Sequence, residues 1–137
     1  MLRFDLIHPP LLEALAASGH GSRVLLADGN FPVRTTRPPS ATIIYLNVAP
    51  GLLTVSAVLG PLLTAVNVES AVTMQTPDGE SSAAEREYAR TIGPDIPISR
   101  VDRFQFYNLV RSPDVGVIVA TADERTHANI LLTIGLR

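Results

Sequence analysis

Four short segments carry side chains able to move protons or hold hydroxyl groups. Gly19-His20-Gly21 puts an imidazole between two glycines, directly after a stretch that reads as a helix. The glycines let backbone and imidazole approach a small ligand closely. A histidine there is equally suited to capping the helix, because its cation complements the negative end of the dipole. Asp28 closes the apolar run Val24-Leu25-Leu26-Ala27, at the place where an open α/β sheet customarily meets its ligand; an Asx turn with Gly29 would use the same side chain. Arg103 and Tyr107 stand four apart on a predicted helix and so share a face, either as a binding pair or as an exposed arginine beside a half-buried tyrosine. His127-Ala128-Asn129 precedes the last apolar run, where Asn129 alone reads as a turn residue. The chemistry open to this set is proton transfer and directional hydrogen bonding.

Composition narrows it further. The chain has 137 residues and no cysteine, and all 11 cationic side chains are arginine. Disulfides, thiol nucleophiles, thiolate zinc sites, lysine Schiff bases and a P-loop lysine are therefore excluded. A net charge of -2 argues against a nucleic-acid partner held by phosphate neutralisation. No G-x-G-x-x-G follows a strand and no G-x-S-x-G is present, so neither a dinucleotide fold nor a serine-hydrolase elbow is supported. His8, His20 and His127 lack the spacing of helix-face metal ligands. His8, before Pro9, reads as a surface or helix-entry residue. The Asp123-Glu124 and Glu85/Glu87 pairs read as solvated faces.

The elements that must position these groups alternate between strand and helix. A helix is predicted over Pro10–Ser18, opened by proline and stopped by Gly19. Strands are predicted over Arg23–Ala27, Thr42–Val48, Ala71–Gln75, Val115–Ala120 and Ile130–Ile134, with Phe31–Ser40 a loop and Thr121–Asn129 a polar connector. Ser82 and Glu85 form a capping box for a helix to Ile92, and Ser99 with Asp102 a second box for the helix carrying Arg103. Pro38–Val68 contains no charged residue, but Asn47, Pro50-Gly51 and Gly60-Pro61 cut it into pieces too short to span a bilayer. Its helical part, Leu52–Ala65, is apolar nearly all round and asks for cover on both faces, which points to subunit contacts. The expected architecture is one domain, residues 1–137, with three α/β/α layers around a mainly parallel, mixed sheet. The N-terminus lacks a basic region followed by an apolar one, so no signal peptide and a cytoplasmic location are expected.

Three segments, taken in order, resemble one family. GHGSRVLLADGNFP, Gly19–Pro32, is similar to the G-H-x-D/S-x-[apolar]-x-x-D-A/G-x-x-P signature of the RbsD/FucU proteins, the D-ribose pyranase and L-fucose mutarotase family. RVDRFQFY, Arg100–Tyr107, resembles the arginine-bearing F-x-F-Y helix of the fucose branch. TADERTHANILLTIG, Thr121–Gly135, resembles the family's closing T-G-E-x-x-x-Y-[AG]-N-I-[LI]-L-x-x-G stretch. The resemblance implies an RbsD-like fold and a sugar mutarotase without metal or cofactor. It implies His20 as the acid/base residue, with Asp28, Arg103 and the His127-Ala128-Asn129 stretch as substrate contacts; Tyr107, or Phe31, would cover an apolar sugar face. It also implies a homo-oligomeric ring, commonly a decamer. One departure stands out: His127 occupies the place of the family's tyrosine, exchanging a long phenol for a shorter imidazole with a titratable nitrogen.

Mutarotation needs one group to take the proton of the anomeric hydroxyl while another gives one to the ring oxygen. An ordinary imidazole titrates near pH 6.5, about the operating range, and serves in either sense. His20 and Asp28 bracket a strand that would separate them by roughly 20–26 Å. A shared site then requires either that the chain curls back at one end or that the two come from different subunits; the regular buried strand between them favours the second. The competing reading, prompted by His127, is a non-catalytic sugar-binding or regulatory protein on the same scaffold; a structural ring protein would bind no sugar.

Overall fold

Strand β1 (Arg23–Ala27) is buried from Val24 onward, as an apolar run with no alternation requires. Its side chains divide between two cores. Val24 and Leu26 join the packing of α1 (Pro9–Ala16), α3 (Val55–Leu63) and α4 (Ala83–Ile92), while Leu25 and Ala27 join that of α5 (Arg103–Val110). The computed structural model describes residues 2–137. Among them the chain forms five helices, the fifth being the short α2 (Val33–Thr36), and a six-stranded sheet of order β2-β5-β1-β6-β3-β4. The remaining strands are β2 (Thr42–Tyr45), β3 (Val68–Met74), β4 (Ile98–Val101), β5 (Val115–Ala120) and β6 (Ile130–Ile134).

β1 pairs parallel with β5, β5 with β2 and β3 with β4, whereas β6 is antiparallel to both β1 and β3. Five strands thus share a direction and one opposes it. The mixed, mainly parallel sheet with helices on both faces agrees with the expected class. The reversal also has a functional result. The residues entering β6 meet the carboxyl ends of the other strands, and this is how His127–Asn129 reaches Asp28.

Local departures have local causes. His8 caps α1, its Nδ1 accepting the Leu11 N–H at 3.3 Å. The apolar helix is α3, shorter than predicted because Thr54 caps it. Val55, Val58, Leu59 and Leu62 are buried, while Ala57 and Thr64 are exposed. Exposed apolar side chains include Tyr45, Val48 and Leu52, around the edge strand β2 and the loop after it, with Ile7, Phe104 and Leu136 elsewhere. Ser99 is not a cap: it lies in β4, which the sequence reading did not contain. Asp102 caps α5 instead, accepting the Phe104 and Gln105 N–H groups, and the Gln105 side chain closes the box. No helix among the described residues is long and apolar enough to cross a membrane.

Candidate functional site

Asp28 ends β1 with only 4% of its surface exposed, and its carboxylate accepts three hydrogen bonds. Oδ1 accepts the Asn30 N–H at 2.9 Å, so the Asx turn foreseen at this position does form. Oδ2 accepts the Ala128 N–H at 3.2 Å and the Asn129 Nδ2 at 2.8 Å. The Asp28 N–H returns a bond to Asn129 Oδ1 at 2.9 Å. Asn129 therefore spends its amide clasping β1 to the start of β6. Burial lifts the Asp28 pKa above the ordinary carboxylate value; the Asn30 and Ala128 N–H groups and the Asn129 amide offset this only in part, and the nearby Asp123 charge adds to it.

Arg103 and Tyr107 project from the first turns of α5 onto the same place. Arg103 Nε donates to the Tyr107 hydroxyl at 3.1 Å, and the guanidinium lies 5.3 Å from the ring centroid. Tyr107 in turn packs edge-on against Phe31, with ring centroids 5.2 Å apart. The result is a pocket of about 170 Å³ lined by Asp28, Phe31, Arg103, Tyr107, His127 and Asn129, with Asn30, Met74 and Thr126 completing the wall. Five of the seven predicted site residues line it, and Ala128 stands directly behind, its N–H committed to Asp28. Asn30, Met74 and Thr126 carried no sequence signal, because polar turn residues and a single methionine are common everywhere.

His127 has a φ of 59°, in the left-handed region that side chains other than glycine and a few polar ones avoid. His20 is elsewhere. It lies before β1, at the opposite edge of the sheet, exposed, with Nε2 2.9 Å from Glu69 Oε2. It does not cap α1, whose last position is taken by Ala17. One chain does not bring His20 to Asp28.

Two carboxylates read as solvated are buried. Glu85, 7% exposed, accepts the Thr73 hydroxyl and the Arg100 guanidinium. Asp123, 1% exposed, accepts the Val55 N–H at the start of α3 and a forked pair of bonds from Arg125. Burial pushes the Asp123 pKa up, but Arg125 and the Arg125 and Val55 N–H groups outweigh it and hold the carboxyl below its ordinary value. Charge counts along the sequence cannot reveal this, because a buried ion pair depends on a partner brought by the fold. No group of three or more metal-ligating side chains occurs among the described residues.

The fold that carries this pocket has known counterparts. The description of the RbsD / FucU transport protein family matches residues 1–137. The chain belongs to that family. A D-ribose pyranase of Paracidovorax citrulli is 31% identical over 136 residues, covering 99% of this chain and 98% of the relative. The fold is that of Bacillus subtilis RbsD complexed with D-ribose (TM-score 0.85, 20% identity, 100% and 99% of the two chains). It is also shared by the fucose mutarotase of Streptococcus pneumoniae complexed with L-fucose (TM-score 0.80, 22% identity, 100% and 99%). RbsD / FucU relatives thus include proteins named as a pyranase and as a mutarotase.

Proposed function

We propose that the protein is a monosaccharide mutarotase, favouring fucose-like pyranoses, that opens and recloses the sugar ring by acid/base catalysis. The observation that carries this reading is the convergence of Asp28, Arg103, Tyr107, His127 and Asn129 on one small pocket walled by Phe31. Sugars are read by directional donors and acceptors against an apolar ring face, and this pocket offers both. Membership of a family with a D-ribose pyranase relative supports the same class of reaction.

In the mechanism we infer, a base takes the anomeric hydroxyl proton as the bond from C1 to the ring oxygen breaks, and an acid protonates that oxygen. The free aldehyde turns about its bond to C2 and closes on its other face, with both protons returned. Nothing in the sequence of steps uses a nucleophile, metal or redox group. His20 is the acid/base residue, and a neighbouring subunit supplies it, since β1 holds His20 and Asp28 at opposite edges, with the strand alone spanning roughly 16 Å between them. The subunits form a closed ring, on the family's pattern a decamer, by repeating one heterologous contact. Exposed Tyr45, Val48 and Leu52 are available for such contacts. Asp28, its pKa raised by burial, holds a hydroxyl and accepts a proton more readily than an ordinary carboxylate.

The pocket in one chain lacks His20, which favours a second reading, a non-catalytic sugar-binding protein. Magnetisation-exchange NMR over fucose, ribose, galactose and rhamnose decides between them. Accelerated exchange of anomers supports the mutarotase, and sugar binding without acceleration removes it.

A further inference from the structure

We propose that Tyr88 is a positioning residue of this pocket: its hydroxyl, reaching the Ala128 carbonyl from the helix layer opposite, holds His127 in the backbone conformation that presents its imidazole to the sugar. The proposal rests on reading the pocket as a sugar site, and it adds a residue that never touches the sugar.

Tyr88 lies on α4, wholly buried, within the core formed with α1 and α3. A phenylalanine would fill the same volume, so packing does not explain the hydroxyl. A phenol in such surroundings requires a partner, and it donates to the Ala128 carbonyl at 2.7 Å. Burial pushes its ionisation far up, which keeps it a neutral donor. Ala128 is itself fully buried, and its N–H goes to Asp28. Both backbone groups of Ala128 are therefore fixed, the carbonyl from the α4 layer and the N–H from the end of β1.

The residue before it is the strained one. A left-handed φ at a histidine persists only where the surroundings over-determine it. The chain is held on the other side of His127 as well. Arg125 Nη1 donates to Glu87 at 2.8 Å and Nη2 to Ser56 at 3.1 Å, on top of the fork to Asp123. Consecutive residues of α4, Glu87 and Tyr88, thus grip the chain on either side of Thr126-His127. Without the hydroxyl the buried Ala128 carbonyl loses its partner, and His127 is free to relax to negative φ.

The test uses full-length Tyr88→Phe. Anomer exchange should show KM for L-fucose or D-ribose raised roughly tenfold with kcat within about threefold, the pattern of lost binding rather than lost chemistry. The Ala128 and His127 amide resonances of the ligand-free protein should move, while resonances of α1 stay in place. In a His127→Gly background, glycine accepts this backbone without strain, and Tyr88→Phe should then change KM less than about twofold. Arg125→Lys, which loses the fork, should raise KM in the same sense and serves if Tyr88→Phe does not fold. Unchanged resonances at Ala128 and His127, or equal losses in both backgrounds, would overturn the proposal. Should the wild type accelerate no sugar, the mutarotase reading falls by itself, and the resonances still decide the role of Tyr88.

Discussion

At the carboxyl edge of the sheet, the Asp28 carboxylate accepts three hydrogen bonds, and the Asn129 side chain it meets uses both ends of its amide. At the opposite edge, His20 has a single partner, Glu69, and the two side chains are 50% and 45% exposed. The contrast follows from what each edge has to do. Groups that read sugar hydroxyls gain from being held in place before the ligand arrives, since ordering them afterwards costs binding energy. A group that relays protons must change partners, and an exposed imidazole bonded to one surface carboxylate can do so at small cost.

The sharpest way to break this comparison is at the loose edge. His20→Ala should slow anomer exchange by roughly 10²–10⁴-fold and leave the thermal midpoint within the scatter of surface substitutions. An unchanged rate in the folded variant would leave proton transfer to the carboxyl edge alone. Next in size is the recovery expected when inactive His20→Ala and Asp28→Asn subunits are mixed. Junctions pairing the two intact residues should regain activity, whereas verified mixed assemblies that stay inactive would place the site within one chain.

Asp28→Asn also bears on stability. An amide set among the Ala128, Asn129 and Asn30 donors must turn its own NH2 towards at least one of them. A loss of about 1–3 kcal/mol is expected in urea unfolding, against less than about 0.5 kcal/mol for Glu69→Gln at the loose edge. Equal losses would erase the distinction between the edges.

Acid titration sharpens it again. The Asp28 pKa is raised above 3.8 by burial, so its ionisation opposes folding; the stability it contributes is present below 3.8 and lost as pH rises through the folded value. Asp123 and Glu87 work the other way. The Ser56 hydroxyl and then Arg125 hold Glu87 below 4.5, and Arg125 with two N–H groups holds Asp123 below 3.8 against its burial. Their contribution is complete above those values and is lost as pH falls through the lower folded ones. Unfolding free energy measured from pH 6 to 3 should therefore fall more steeply in Asp28→Asn than in the wild type. Parallel curves would mean that Asp28 titrates as an ordinary carboxylate. The smallest effect is expected from His127→Tyr, a change of a few-fold in the preference among fucose, ribose and galactose; identical preferences would remove the imidazole from the contact set.

Much of the fold was legible because its signals are local. Apolar runs without alternation marked β1, β5 and β6 as buried strands, and Ser82 with Glu85 marked the start of α4. β4 escaped notice because its four residues are an edge strand, with Ser99 and Arg100 facing solvent, and only pairing with β3 makes it a strand. The apolar segment read as a helix over Leu52–Ala65 is helical only over Val55–Leu63. Its ends are set by Thr54 and Thr64, which cap it, and Leu52 before it stays exposed.

The site divides along the same line. Residue type and position by themselves singled out His20, Asp28, Arg103, Tyr107 and His127-Ala128-Asn129 as groups at or near the ends of elements, and the resemblance to the family implied their roles at a site. Tertiary structure alone decided which of them meet. The reversal of β6 carries His127–Asn129 to the end of β1, and β1 itself keeps His20 at the far edge. The tertiary structure also decided that Asp123 and Glu85 are buried and that the Tyr88 hydroxyl has the Ala128 carbonyl as its partner. These are contacts between residues up to 101 positions apart, and side-chain burial and pairing at that separation depend on topology, which no local pattern encodes.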